Sequence, residues 1–276
     1  TRIMNFLEAI LLGLLQGITE FLPVSSSGHL VLASSLMGSD LAPGITFEIV
    51  VHFGSFCSIV LYFRESLGEL LRGVMQSFTP TAIREKRFMH DKNAKLAFVI
   101  LASMIPAGLA YVFLEERIEQ LFNSPALVSM MLVVTGVLLF MTKFATNTTR
   151  EVGLFRGFMM GIAQAMALIP GISRSGSTIS TGLFLGLKRE EVANFSFLMV
   201  LPVLGGAMLL DFIDILNDGI EIYAALVLLT GFFTSFLSGY FALKYLIILL
   251  RKDKLHYFAF YCWAVGVAGI FYFGAF

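Results

Sequence analysis

Long apolar runs broken by short charged segments dominate the pattern along this chain. Residues 45–63, 96–114, 126–144, 192–212, 222–250 and 257–276 each reach the roughly 17–25 residues that a membrane-spanning helix needs. Six transmembrane helices are therefore predicted. Two further stretches, 3–37 and 154–187, are as apolar but are interrupted at Pro23-Val24-Ser25-Ser26-Ser27-Gly28 and at Pro170-Gly171-Ile172-Ser173-Arg174-Ser175-Gly176. Proline and small polar residues break a helix, so each of these two stretches is expected to be a pair of short helices joined by a turn.

Lysine and arginine collect in cytoplasmic loops and supply an orientation. Arg64, Arg72, Arg84, Lys86, Arg87, Lys92 and Lys95 put the segment after 45–63 inside, whereas 115–124 holds three acids and only Arg117 and is outside. Lys143, Arg150, Arg156, Lys188 and Arg189 return the chain to the inside, the base-free segment with Asp211, Asp214, Asp218 and Glu221 is outside, and Arg251, Lys252 and Lys254 are inside. Stretch 154–187 then begins and ends on the cytoplasmic side and reads as a re-entrant hairpin. Stretch 3–37 reads as its counterpart, entering from the outer face.

The two interrupted stretches also match each other. Gly13 and Gly161, Gln16 and Gln164, Ser25 and Ser173, Ser27 and Ser175, Gly28 and Gly176, Gly38 and Gly186, and Phe47 and Phe195 all differ by 148 in number. A run of matches at one offset implies an internal duplication, and the charge pattern gives the copies opposite senses across the membrane. The fold class expected is an all-α polytopic membrane protein, six transmembrane helices plus two re-entrant helical hairpins in an inverted-topology repeat. It forms a single membrane domain over 1–276, with one half about 1–122 and the other about 123–276. Broken helices at such a repeat interface point half-helix N-termini toward an anionic ligand near the midplane.

Composition sharpens the class. Apolar residues make up 57% and charged residues 14%, against about 25% charged in soluble domains, which excludes a water-soluble globule. Nineteen bases balance nineteen acids, so no nucleic-acid partner is indicated. Cys57 and Cys262 sit in apolar runs without ligand spacing and suggest neither disulfide nor zinc chemistry. Ionisable groups at membrane depth are costly and tend to be functional; here they are Glu8, Glu20, His29, Glu48, His52 and Arg174. Glu20 lies four residues after Gln16, on the same helix face. Ser26 and His29 share a face if a helix starts near Ser25, whose hydroxyl suits an N-cap. Arg174 sits in the matching turn among Ser173, Ser175, Gly176, Ser177 and Thr178. Helix N-termini, hydroxyl donors and a guanidinium together suit a phosphate. The plainer readings are close packing for the serines and glycines, a structural ion pair of Arg174 with Glu20 or Glu48, and a local Glu48–His52 contact.

At these residues the chain resembles the integral-membrane undecaprenyl-diphosphate phosphatases of bacteria, also called bacitracin-resistance proteins. The likeness lies in Gln16-Gly-Ile-Thr-Glu20-Phe-Leu-Pro-Val-Ser-Ser-Ser-Gly-His29 and Pro170-Gly-Ile-Ser-Arg174-Ser-Gly-Ser-Thr178. It extends through the hairpin positions and the Phe47-Glu48 helix. Gln16 stands where the family more often has a first glutamate, and Ser27 where a threonine is frequent. The resemblance implies removal of the terminal phosphate of undecaprenyl diphosphate, recycling the lipid carrier for cell-wall polymers and conferring bacitracin resistance. It also implies a divalent cation, a homodimer, and a site facing the periplasm in the bacterial inner membrane.

The mechanism expected is attack by Ser26 on the terminal phosphorus, with His29 taking its proton. Arg174, Ser25, Ser27, Gly28, Ser173, Ser175, Gly176 and Thr178 would hold the diphosphate. Glu20, Gln16 and Glu48 are the expected oxygen ligands of Mg²⁺ or Ca²⁺, Glu20 alternatively serving as base for a hydrolytic water. The competing class is a transporter that flips polyprenyl phosphate lipids, because inverted repeats with broken helices also mark alternating access.

Overall fold

The computed structural model describes residues 4–37, 45–77, 91–145, 150–218 and 222–274. These residues are all-helical, with no strand among them and one isolated bridge between Arg150 and Leu187. In chain order the α-helices are α1 Phe6–Phe21, α2 Ser26–Met37, α3 Ile45–Tyr62, α4 Arg64–Ser77, α5 Lys92–Phe122 and α6 Pro125–Met141. They continue with α7 Leu154–Met166, α8 Arg174–Phe184, α9 Arg189–Asp218, α10 Ile222–Arg251 and α11 Phe258–Phe273. Among the described residues the six uninterrupted apolar runs fall largely in helices. Four segments, Lys92–Phe122, Pro125–Phe144, Tyr223–Arg251 and Leu255–Phe273, are long and apolar enough to cross a membrane, and α3 with α4 makes a fifth if that pair, bent by 75°, counts as one span.

Large apolar side chains cover the outside of the long helices. Val112, Phe113 and Phe271 are 72%, 77% and 76% exposed. A water-soluble surface seldom carries contiguous apolar area on this scale; lipid is the solvent it suits. The chain is an integral membrane protein. Inside, one cluster runs from Phe21 and Ile59 through Phe195, Phe197 and Met199 to Leu243 and Leu246.

Both interrupted stretches form the expected pairs of short helices, in matching register. Helices α1 and α7 start at residues 6 and 154, and α2 and α8 at 26 and 174, so both starts differ by 148. Helices distant in sequence interleave: α1 lies along α10, α7 along α5, and α6 along α11. Glycine permits the first two contacts. A Cβ on Gly13 would stand 2.7 Å from the Gly231 carbonyl of α10, and one on its matched residue Gly161 would collide with the Ser103 carbonyl of α5. Without a hydrophobic driving force between helices in lipid, such backbone approach is what holds them. Hydroxyls add to it, Ser58 donating to the Phe236 carbonyl and Ser235 to that of Val51, both at 2.6 Å.

Candidate active site

The two turns meet back to back. A Cβ on Gly28 would lie 3.1 Å from the Cα of Gly171, and one on Gly176 would lie 3.4 Å from Pro23. The Ser175 hydroxyl reaches the Leu22 carbonyl at 3.4 Å. Each turn restarts its helix in the same way. Ser25 Oγ accepts the Gly28 N–H at 3.2 Å and Ser173 Oγ accepts that of Gly176 at 3.1 Å. The Ser25–Ser27 and Ser173–Ser175 hydroxyl pairs are each 3.3 Å apart. Both N-termini keep backbone donors that the helix itself does not use, so two positive helix ends converge.

Between them lies a cavity of about 60 Å³, lined in part by Glu20, Ser26, Ser27, His52, Ser173 and Arg174. Glu20, its side chain only 6% exposed, is the hub. Its Oε2 accepts from the Ser26 hydroxyl at 2.7 Å and from Gln16 Nε2 at 3.0 Å. Arg174 Nη2 stands 3.6 Å from Glu20 Oε1, and His52 Nε2 3.9 Å from Oε2. Arg174 Nη1 is buried without a hydrogen-bond partner. A guanidinium with a spare donor beside two helix N-termini is built to receive an anion.

His29 does not meet Ser26 in the structure. His29 is buried, but its Nδ1 lies 2.8 Å from the Ser25 carbonyl and its Nε2 2.8 Å from the Tyr261 hydroxyl. Both ring nitrogens are engaged, and no bond joins the ring to Ser26. Residues three apart do share a helix face; this ring, however, turns back along its own helix and outward to α11. The hydrogen-bond acceptor in contact with Ser26 is Glu20. Thr178 also faces away from the cavity, donating to the Arg174 carbonyl at 2.9 Å and lying 2.6 Å from the Ser196 hydroxyl. It supports α8 on α9. The Glu48 carboxylate makes no hydrogen bond or ion pair with Glu20, Gln16 or Arg174 among the described residues. His52 is bonded to Glu48 only through the backbone carbonyl, Nδ1 to oxygen 2.8 Å.

Two contributors are absent from the sequence reading. Thr135, in the middle of α6, donates to the Gly171 carbonyl at 2.8 Å and accepts from the Ser173 N–H at 3.0 Å, pinning the second turn. Gly171 has φ +91°, and a Cβ there would collide with the Val128 carbonyl, so this turn is moulded onto α6. The other is Tyr261. In both cases a hydroxyl within an otherwise apolar helix was the available signal.

For a divalent cation the site offers oxygen. The Glu20 carboxylate is joined by the buried Gln16 Oε1, which has no hydrogen-bond partner. No group of three His, Cys, Asp or Glu residues able to hold a metal occurs among the described residues. Two protein oxygens fit an ion such as Mg²⁺, which keeps waters and completes its shell with substrate phosphate.

The family profile described as bacitracin resistance protein BacA matches residues 9–268. A protein of Salinibacter ruber named undecaprenyl-diphosphatase is 41% identical over 268 residues, 97% of this chain and 99% of that protein. Proteins with the same name from Halothermothrix orenii and Christiangramia forsetii are 39% and 37% identical, with 97% and 98% of this chain covered and 100% and 98% of theirs.

Proposed function

Because this chain belongs to the bacitracin-resistance BacA family and is an undecaprenyl-diphosphatase, we propose that its chemistry is carried by Ser26, Glu20 and Arg174 between the two turns. The reaction is hydrolysis of undecaprenyl diphosphate to undecaprenyl phosphate and inorganic phosphate. It recycles the lipid carrier and confers bacitracin resistance. The observation that carries the residue assignment is the Ser26–Glu20 hydrogen bond beside the Arg174 guanidinium.

In this reading the diphosphate lies across the two helix N-termini, held by Arg174 and by the hydroxyls of Ser25, Ser27, Ser173 and Ser175, while Gly28 and Gly176, whose N–H groups are capped by Ser25 and Ser173, let the two turns approach closely. These groups also offset charge that develops on the transferred phosphoryl group. Ser26 Oγ attacks the terminal phosphorus as Glu20 Oε2 takes its proton. The anhydride P–O bond breaks and undecaprenyl phosphate leaves. Glu20 passes that proton to the departing phosphate, then deprotonates the water that cleaves the phosphoserine and returns its proton to Ser26 Oγ as inorganic phosphate is freed. Glu20 and Gln16 would hold a Mg²⁺ or Ca²⁺ ion, whose chemistry is to polarise phosphate oxygens.

The proposed setting is the bacterial inner membrane, with six transmembrane helices, α9 among them, and two re-entrant hairpins in an inverted-topology repeat of halves about 1–122 and 123–276. Supporting it are the Lys/Arg pattern, the 148-residue register of helix starts and the matched glycine contacts. A site facing the periplasm, which the resemblance implies, completes the proposed setting. A homodimer, which the resemblance implies, is the proposed assembly, and cross-linking of the purified protein in detergent tests it.

The test of the site is phosphate release from undecaprenyl diphosphate by purified protein with Mg²⁺. Arg174→Ala is expected to lower kcat/KM by about 10³–10⁵-fold in a protein that still elutes as folded. Near-normal turnover would reduce Arg174 to a structural partner of Glu20.

A further inference from the structure

Ser25 has φ +70°, in the left-handed region that residues other than glycine seldom occupy. Such a residue persists only where its surroundings over-determine it. Ser25 is held on both sides. Its hydroxyl caps Gly28, and its carbonyl accepts the His29 N–H at 3.1 Å as well as His29 Nδ1 at 2.8 Å. The second turn makes a useful control. Ser173 caps its helix in the same way, yet has φ −71°. The residue matched to His29 there is Ser177, whose hydroxyl has no partner. The left-handed residue and the histidine thus occur together, and only in the turn that carries Ser26.

The His29 hydrogen bonds also fix its tautomer. Because Nδ1 faces a carbonyl it must carry the proton, and Nε2 is then an acceptor, satisfied by the Tyr261 hydroxyl. The two ring planes are nearly parallel, 6° apart with centroids at 5.5 Å. Tyr261 comes from α11, whose next residue, Cys262, packs its sulfur 3.8 Å from the Pro23 carbonyl. We propose that Tyr261 and His29 form a clamp that holds Ser25 in its left-handed conformation and so presents the next hydroxyl, that of Ser26, to Glu20. Both are positioning residues. The inference rests on the assignment of Ser26 as nucleophile and Glu20 as its proton acceptor.

Two amide variants separate the clamp from base catalysis, since an asparagine amide nitrogen falls near the Nδ1 position and a glutamine amide nitrogen near that of Nε2. His29→Asn keeps a donor for the Ser25 carbonyl, His29→Gln does not, and neither can act as a base. With undecaprenyl diphosphate and Mg²⁺, His29→Asn is expected to keep kcat within about tenfold of wild type, and His29→Gln and His29→Ala to lose about 100-fold or more. KM should rise less than kcat falls, because Arg174 and its turn are untouched while Ser25 and Ser27 shift. Tyr261→Phe should lower kcat about 5–20-fold with a smaller rise in KM in the wild-type background and have no effect on top of His29→Asn, as non-additivity within one network requires. The clamp is overturned if His29→Asn is as inactive as His29→Ala, if the Asn and Gln variants are equally active, or if Tyr261→Phe changes only the yield of folded protein. Ser26→Ala, assayed alongside, tests the underlying assignment separately: turnover retained there removes Ser26 as nucleophile, while the Asn and Gln variants still report on which ring nitrogen matters.

Discussion

The Ser26 hydroxyl donates to Glu20 Oε2 across 2.7 Å, although the two are six apart in sequence with a helix break between them. A carboxylate already bonded to the attacking hydroxyl needs no rearrangement to take its proton. Glu20→Gln keeps the shape and an acceptor oxygen but removes the basicity, so kcat is expected to fall by about 10²–10⁴-fold. Loss of the base should slow the second step as well. Incubation with substrate should therefore leave a phosphoserine at Ser26 that mass spectrometry detects in Glu20→Gln and not in Ser26→Ala. Wild-type turnover in Ser26→Ala would replace this route with direct attack by water.

His52 also faces Glu20, but at 3.9 Å, beyond hydrogen-bond range. A weak polar contact of this kind contributes at most about 1.5 kcal/mol, roughly tenfold in rate. His52→Ala is expected to lower kcat by no more than about tenfold, far less than Glu20→Gln. A loss matching that of Glu20→Gln would make His52 a second acid–base group.

Much of this site was legible in the sequence because its signals are local. The breaks at Pro23 and Pro170, the capping hydroxyls of Ser25 and Ser173, and the Gln16–Glu20 pair all follow from spacing along one helix or turn. What was not legible depends on chain segments far apart. The partners of His29 are decided by Tyr261, 232 residues away, so the helical spacing of Ser26 and His29 suggested a contact that the ring does not make. The φ of Ser25 was equally hidden, since its counterpart Ser173 in a nearly identical motif is extended. Thr135 lies within an apolar run, where nothing local shows that its hydroxyl serves a turn 36 residues later. The long apolar helices were readable because apolar length alone dictates them in lipid, whereas α4, with Arg64, Glu65, Glu69 and Arg72 in it, was not.

Thr135 makes that dependence testable. Thr135→Val conserves shape but leaves the Gly171 carbonyl and the Ser173 N–H without their partner, at about 1–3 kcal/mol for each buried group. Because Ser173 caps the helix that starts at Arg174, the phosphate-holding turn should loosen. KM is expected to rise several-fold, with a smaller change in kcat, and Thr135→Ser, which keeps the hydroxyl, should restore most of the affinity. Equal behaviour of the Val and Ser variants would show that the turn stands without this pin.

Glycine contacts give a prediction about stability instead of chemistry. A methyl group at Gly161 would collide with the Ser103 carbonyl, whereas nothing lies within 4 Å of one placed at Gly108 on the same helix as Ser103. Gly161→Ala should force α7 off α5 and cost about 1–3 kcal/mol, as overpacking does. Gly108→Ala should be neutral or stabilising by up to about 1 kcal/mol through helix propensity. Retention of monodisperse protein after heating in detergent ranks the two. Equal melting would mean that the α5–α7 contact adapts freely.

The proposed orientation is decided at the helix ends. Arg117 and Lys252 are both exposed and fall on opposite sides in a six-span arrangement with α9 crossing between them. With Cys57 and Cys262 replaced by alanine, a cysteine introduced at Arg117 should react in intact cells with a membrane-impermeant maleimide. One at Lys252 should react only after permeabilisation. Lys and Arg near helix ends set orientation by resisting translocation, and Lys252 lies beside Arg251 and Lys254, so this end is the more firmly anchored inside. Labelling of both positions from outside would refute the inverted arrangement, because it would require an even number of crossings between them where α6, the 154–187 hairpin, α9 and α10 make an odd one.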